Sequence, residues 1–323
     1  MRNARTLATQ RCGTEAILDA GSRCCGEGGL LAAPVDVEVL VIPKQWHCPD
    51  GCSFSPVYDG RIGQCGVCGL GRTLNAGAAA EAQDYLNATS EQREFKRNYF
   101  RRLHARALRD LAPGRVLDIG CSDGLLLDVL SEAGWQTLGI DAYRDTPPRA
   151  DVLSGNFLQN AISGRFDLIT AVHSFEHLDD PVATLERCAS LLHPGGRLFI
   201  VVPNFAGWWS RAAGPRWPWL NPADHRFHYT EGAMRRLLEQ NGFVLLSVRT
   251  WSRFTPSIAQ MYLSERGFFE GVWCRWRLLR SAAFRISAAV RRPANVLCDV
   301  LGRGAELQVL AVRAASVVEE RSR

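Results

Sequence analysis

Four cysteines, Cys48, Cys52, Cys65 and Cys68, fall within 21 residues of one another. The spacings Cys48-x-x-x-Cys52 and Cys65-x-x-Cys68 each bring two thiolates onto one metal ion, and Gly51, Gly66 and Gly69 allow tight turns around them. Four sulfurs suit tetrahedral Zn²⁺, and four protein ligands leave no open position, so the expected role is structural. His47 is an alternative ligand. A second group is Val116-Leu117-Asp118-Ile119-Gly120-Cys121-Ser122-Asp123-Gly124, where an apolar run enters a glycine-containing turn. Gly120 lets the backbone approach a ligand closely, and Gly124 lets a helix start tightly against the strand. Asp141 lies 23 residues after Asp118, placed to accept hydrogen bonds from both hydroxyls of a ribose. The loop is not G-x-G-x-x-G, and it lacks the lysine of a phosphate-binding loop, so a ligand with ribose and no phosphate fits it better. A third group is imidazole. His173 and His177 flank Glu176, and His225 and His228 flank Arg226-Phe227. A neutral histidine there could take a proton from a hydroxyl near neutral pH, or could brace a loop.

These residues need elements to hold them. From Arg115 the chain alternates strand, loop and helix. Strands are predicted over 116–119, 137–140, 166–172, 197–202, 243–249 and 307–312, with helices over 125–133, 182–192 and 231–240. That alternation implies an α/β fold with a doubly wound, mostly parallel sheet. Ligands of such sheets bind at the carboxyl ends of the strands, where the glycine loop, Asp141 and His173 all fall. The loop Trp208–Tyr229, with Trp208, Trp209, Trp217 and Trp219, follows the fifth strand at the same edge. It reads either as a lid packed on the sheet or as a wall for an apolar or ring-bearing acceptor.

The glycine loop with Asp141 resembles the first motif of the class I S-adenosylmethionine-dependent methyltransferases, L-D-x-G-C-G-x-G, with Ser122 in place of a glycine. The resemblance continues through Asn156-Phe157, at the position that contacts adenine, and Phe166-Asp167-Leu168-Ile169. It ends with Glu176-His177-Leu178-x-x-Pro181, similar to the ubiquinone-biosynthesis-like subgroup, and Leu192-His193-Pro194-Gly195-Gly196. It covers roughly residues 95 to 313. It implies a Rossmann-like sheet of seven strands with 307–312 as the antiparallel one. It also implies a cofactor site built from Asp118, Gly120, Cys121, Gly124, Asp141, Asn156, Phe157 and His173. Asp118 would brace the loop. In quinone-type relatives E-x-x-E-H can hold a divalent cation; here His173 replaces its first glutamate. Zinc modules ahead of such domains resemble an arrangement in some sugar methyltransferases.

Composition narrows the reading. The chain has 323 residues, a formal charge of +5 and 46% hydrophobic residues, an ordinary globular balance. No run of 18 apolar residues exists, which excludes a transmembrane helix, and Met1–Gly21 has no continuous apolar stretch of a secretory signal. A cytoplasmic location, or one peripheral to a membrane, is expected. Residues 46–72 carry no basic surplus, which argues against nucleic acid. Residues 271–298 hold Arg275, Arg277, Arg280, Arg285, Arg291 and Arg292 and no acid, with an apolar stripe through Trp276, Leu279, Ala283, Ile286 and Val290. Such a helix either caps the core or lies on an anionic membrane.

The expected organisation is a tail over 1–45, poorly ordered over 1–33 and with a strand at 35–41, then a zinc-ribbon-like module over 46–75. A helical linker over 76–113 and a methyltransferase domain over 114–313 follow, with a helical insert over 251–305 and a second tail over 314–323. The expected activity is methyl transfer to a small-molecule or lipid-like acceptor, at a hydroxyl oxygen, with His173 or His225 as the base. A sugar C-methyltransferase and a non-catalytic zinc-ribbon binding protein are the alternatives.

Overall fold

The computed structural model describes residues 53–74, 90–142, 149–252 and 292–314. The tail 1–33, the strand over 35–41, His47, Cys48, Cys52 and most of the arginine-rich segment lie outside these residues. Of that segment, 292–298 fall in a helix over 292–300, where Val296 and Leu297 are exposed.

A seven-stranded sheet forms the centre. Its strands are β4 (Arg115–Ile119), β5 (Gln136–Asp141), β6 (Val152–Ser154), β7 (Phe166–Val172), β8 (Leu192–Pro203), β10 (Phe243–Trp251) and β11 (Glu306–Arg313), in the order β10-β11-β8-β7-β4-β5-β6. Every described pairing from β8 through β6 is parallel, whereas β11 runs antiparallel to both β8 and β10. The central strands are buried on both faces, which is why they read as continuous apolar runs. The expected doubly wound sheet and its antiparallel seventh strand are therefore present.

The helices start where their chemistry says they should. α3 (Pro181–Leu191) has Pro181 in its first turn, and Asp180 accepts a hydrogen bond from Ala183 N at 2.9 Å. α5 (Glu231–Gln240) is capped by Thr230, whose hydroxyl accepts from Ala233 N at 3.1 Å. α2 (Leu125–Glu132) begins directly after Gly124, at φ 77°. α1 (Ser90–Ala107) buries Tyr99, Phe100 and Leu103 against Leu126, Leu130 and Trp251. α4 (Trp208–Ala213) lies in the tryptophan loop.

The cysteine segment forms the antiparallel strands β1 (Phe54–Val57), β2 (Ile62–Cys65) and β3 (Gly71–Thr73). The sheet has a fourth strand, β9 (Phe227–His228), from the loop after β8, with Gly71 opposite His228 and Arg72 opposite Phe227. Cys65, Cys68 and Leu70 pack in one core with Phe227, Tyr229 and Met234. Taken alone, the segment looks short of apolar material; in the fold it shares the apolar material of the domain.

Candidate active site

At the end of β4, Gly120 has φ 74°, and a Cβ built on it would stand 2.4 Å from Ser174 Cβ, so no side chain fits. The turn is tied to β5: Gly120 N and Cys121 N both donate to Ile140 O, at 2.8 and 3.2 Å. Ser122, the departure from the glycine-rich motif, sits at φ 48°, a conformation a glycine adopts without strain. Its N–H donates to Asp141 Oδ2 at 2.8 Å, which holds the serine there. Cys121 is buried, its sulfur packed against Gly139.

Asp118 is buried and accepts from Thr170 Oγ1 at 2.6 Å, bracing β4 to β7. Burial pushes its carboxyl up to about 7, against the lowering effect of the Thr170 bond. The folded state thus keeps a proton that the unfolded chain releases near pH 4, so stability falls as pH rises from about 4 to about 7. Asp118→Asn should flatten that fall and gain most over wild type above pH 7, as melting temperatures across pH 4–8 would record.

Asn156 and Phe157 follow β6 at the same edge, since Gly155 N donates to Asp141 O at 3.0 Å. The Asn156 amide oxygen accepts from Leu158 N at 2.8 Å, and Phe157 is buried under the Arg187 guanidinium, 5.2 Å from its ring centre. Two contacts carried no sequence signal. Arg149 covers Gly124 while pairing with Asp151 and Asp128 at 2.9 and 2.7 Å, and the Asp151 bond foremost raises its pKa. Asp123 is paired with Arg93 and Lys96 of α1, at 3.1 and 3.4 Å, which clamps that helix onto the loop.

Ser174 connects this half of the site to the other. Its hydroxyl donates to Ile119 O at 2.6 Å, and His173 and Glu176 flank it in sequence. His173 holds φ 54°. Its Nε2 donates to Tyr99 OH at 3.1 Å and lies 3.4 Å from Glu306 Oε2, while Tyr99 OH donates to Glu306 Oε2 at 3.0 Å. Its Nδ1 is 3.7 Å from Glu176 Oε1. Burial alone would lower its pKa, but the bonds and charges of Glu176 and Glu306 outweigh that and push it up to about 10. Sequence reading passed over both Tyr99 and Glu306, although an acid heading the apolar strand 307–312 was a usable signal.

Glu176 is 1% exposed, and its Oε2 has no hydrogen-bond partner among the described residues. Glu176, His177 and His225 each direct one ligand atom so that the three lie within 4.8 Å of one another. Each histidine has an outer partner. His225 Nδ1 donates to Trp219 O at 3.0 Å, and His177 Nδ1 lies 3.2 Å from Asp224 Oδ1. Those partners orient both rings through Nδ1 and turn Nε2 away from them. Burial, the dominant influence, lowers the His225 pKa, so that ring is neutral near pH 7. A buried carboxylate grouped with two imidazoles is a set of donors that could hold a divalent cation.

His228 is placed differently. It is buried in the ribbon sheet, and burial pushes its pKa down to about 3, so it is a neutral structural group. The tryptophans also separate. Trp217 is buried with Ile62 and Phe205, and Trp209 Nε1 donates to Asn295 Oδ1 at 3.2 Å. Trp208 is exposed, and Trp219 alone meets His173, edge to face at 5.8 Å.

At the cysteines, Val67 N and Cys68 N both donate to Cys65 Sγ, at 3.3 and 3.4 Å. Backbone N–H groups directed at a cysteine sulfur favour its thiolate.

Residues 91–248 match the methyltransferase-domain family. Among curated proteins, the chain is 34% identical over 111 residues to a ubiquinone biosynthesis O-methyltransferase of Xanthomonas oryzae pv. oryzae, covering 29% of this chain and 45% of that protein. It is 35% identical over 120 residues to the one of Xanthomonas campestris pv. campestris, covering 32% and 49%. The chain thus spans about half the length of these curated relatives. A solved SAM-dependent methyltransferase of Archaeoglobus fulgidus aligns at 17% identity with a TM-score of 0.45, over 68% of this chain and 94% of that one. Among the described residues no helix is long and apolar enough to cross a membrane. The glycine loop and the acid at the next strand end both lie within 91–248, the stretch that matches a methyltransferase domain.

Proposed function

We propose that this protein methylates a hydroxyl oxygen of a small-molecule or lipid-like acceptor that also presents a second oxygen to a divalent cation. The observation that carries this reading is the buried Glu176 carboxylate, grouped with His177 and His225 so that one ligand atom of each lies within 4.8 Å of the others, while its Oε2 has no hydrogen-bond partner among the described residues. That curated relatives are named ubiquinone biosynthesis O-methyltransferases supports transfer to oxygen.

Asp141 would hold the ribose, and the backbone of Gly120–Gly124 the rest of the cofactor, in a turn packed so closely on Ser174 that Gly120 admits no Cβ. S-adenosylmethionine supplies an electrophilic methyl, so the protein's task is to position the acceptor oxygen and expose its lone pair. A cation held by Glu176, His177 and His225 would supply Lewis acidity, lowering the pKa of a bound hydroxyl. His225 serves either way: with no cation, its Nε2 takes the hydroxyl proton itself and Glu176, 4.0 Å away, offsets the charge formed. His173 suits neither task, since a ring held protonated by Glu176 and Glu306 cannot accept a proton near neutral pH. Its role is to fix Glu176. Trp219 stands as the apolar wall for a ring-bearing acceptor.

We further propose structural zinc at Cys48, Cys52, Cys65 and Cys68, supported by the two N–H groups directed at Cys65 Sγ. Purified protein should carry one zinc per chain by elemental analysis.

A methyl-transfer screen with labelled cofactor against catechols, hydroxylated quinols, monohydric phenols and nucleotide sugars tests the function. Transfer to oxygen of the first two, suppressed by EDTA, is expected. Carbon methylation of a nucleotide sugar would overturn the reading in favour of a sugar C-methyltransferase. Failure to bind cofactor would leave a zinc-ribbon binding protein.

A further inference from the structure

We infer that the cysteine ribbon forms part of the active site, and that Thr73 is a positioning residue which sets His225 over Glu176. This rests on the functional role given above to His225 and Glu176, and extends it to a segment outside the domain that matches the family.

Thr73 sits at the junction of β3 and β9. Its hydroxyl donates to His225 O at 2.6 Å, a contact spanning 152 residues of sequence. That uses its one proton, so at His228 Nε2, 3.1 Å away, it acts as the acceptor and the imidazole N–H donates. Thr73 N donates to Arg226 O at 3.1 Å. One residue thus fixes three members of the segment 225–228, and Thr73, His225 and His228 are buried away from competing water.

The same segment is tied from its other side to the chemistry. Arg226 N donates to Glu176 O at 2.8 Å, and His225 Nδ1 donates to Trp219 O. The His225 ring is therefore held between the ribbon, the tryptophan loop and the Glu176 turn. Packing points the same way. Ile62 of β2 is fully buried with Phe205, Trp217 and Leu220, with Tyr58 edge-on to Phe205 at 5.9 Å. The junction has no slack: a Cβ on Gly71 would stand 2.9 Å from both His228 Cβ and Phe205. At the ribbon's far end, Thr230 Oγ1 donates to Cys68 O at 2.7 Å, so the cysteine turn and the cap of α5 are one unit.

Removing a partner that orients a metal-ligating histidine typically costs 10–100-fold in metal affinity. Thr73→Val keeps the shape and deletes the hydroxyl; Thr73→Ser keeps the hydroxyl. The test uses the full chain purified with zinc. Mn²⁺ is the probe, because it prefers nitrogen and oxygen to thiolate and leaves the ribbon cysteines alone. Thr73→Val should weaken Mn²⁺ binding, followed by electron paramagnetic resonance, by about tenfold or more. The ring ¹⁵N resonances of His225 should shift in the same variant. Thr73→Ser should restore both, and calorimetric affinity for S-adenosylmethionine should stay within about twofold throughout, since the glycine loop is untouched. Unchanged His225 resonances and Mn²⁺ affinity in Thr73→Val would overturn the inference. If wild type takes up no Mn²⁺, the cation reading fails, and the His225 resonances still decide the role of Thr73. If Thr73→Val loses cofactor binding as well, Thr73→Ala repeats the comparison with less side chain in the junction; the same collapse there would reduce Thr73 to a folding role and overturn the inference.

Discussion

Asp141→Ala should cost the protein most of its affinity for S-adenosylmethionine. Asp141 sits at the end of β5, where Oδ2 already accepts the Ser122 N–H at 2.8 Å. Two ribose hydroxyls would add charge-assisted bonds worth about 1.5–3 kcal/mol each, so roughly 3–6 kcal/mol is lost, on the order of 10²–10⁴-fold in Kd. A second effect adds to this. Ser122 is held at φ 48° by that same carboxylate, and without it the loop can relax out of its cradle shape. Asp141→Asn separates the two contributions: the amide oxygen can still accept from Ser122 N, but the charge is gone, so an intermediate loss is expected. Calorimetry on folded, zinc-loaded protein measures both. Binding by Asp141→Ala within about threefold of wild type would mean the loop serves some other ligand.

The second large effect is expected at Glu176. Burial by itself would raise its pKa; the bond from His173 and the charges of His225 and His173 outweigh burial and hold it below the usual carboxylate range. Glu176→Gln keeps the shape and removes the charge. It should abolish Mn²⁺ binding, lower methyl transfer to a catechol by about 10²–10³-fold, as loss of a key electrostatic group does, and leave cofactor affinity within about twofold. It should also destabilise the fold by about 3 kcal/mol, the low end for breaking a buried pair, because Tyr99 and Glu306 still hold the His173 ring. Urea unfolding gives the stability, and single-turnover kinetics give the chemistry. A variant that transferred methyl groups at the wild-type rate would remove Glu176 from the site. His225→Phe would then show whether the histidine acts alone.

Much of this was legible in the residues before any coordinates. The apolar runs of β4, β7 and β8 announce strands buried on both faces, and Pro181 and Asn241-Gly242 mark helix ends. Gly120, Gly124 and Asp141 fix where a ribose-bearing ligand would sit, because only those residue types tolerate that backbone and make those bonds. Local signals suffice there, since the loop and its acid are 21 residues apart and joined by a single strand–helix–strand unit.

The acceptor side obeys no local rule. His173 reads as a candidate base in sequence, and it is the tertiary structure that places it between Glu176 and Glu306, the second 133 residues away, and turns it into a cation. Tyr99 completes that network from a helix ahead of the sheet. The ribbon reads as a small module held by metal alone, yet β3 finds its partner in β9, more than 150 residues on. A strand's sequence specifies which face is apolar but not which edge will pair with it, and an ionisable side chain's protonation depends on neighbours that only the closed chain supplies. The sequence by itself determined the sheet, the glycine loop and the cofactor acid, all set by short-range steric and hydrogen-bonding demands. Which histidine is charged, which is neutral, and which strand of the ribbon reaches them was decided by long-range packing, where burial and charge are assigned together.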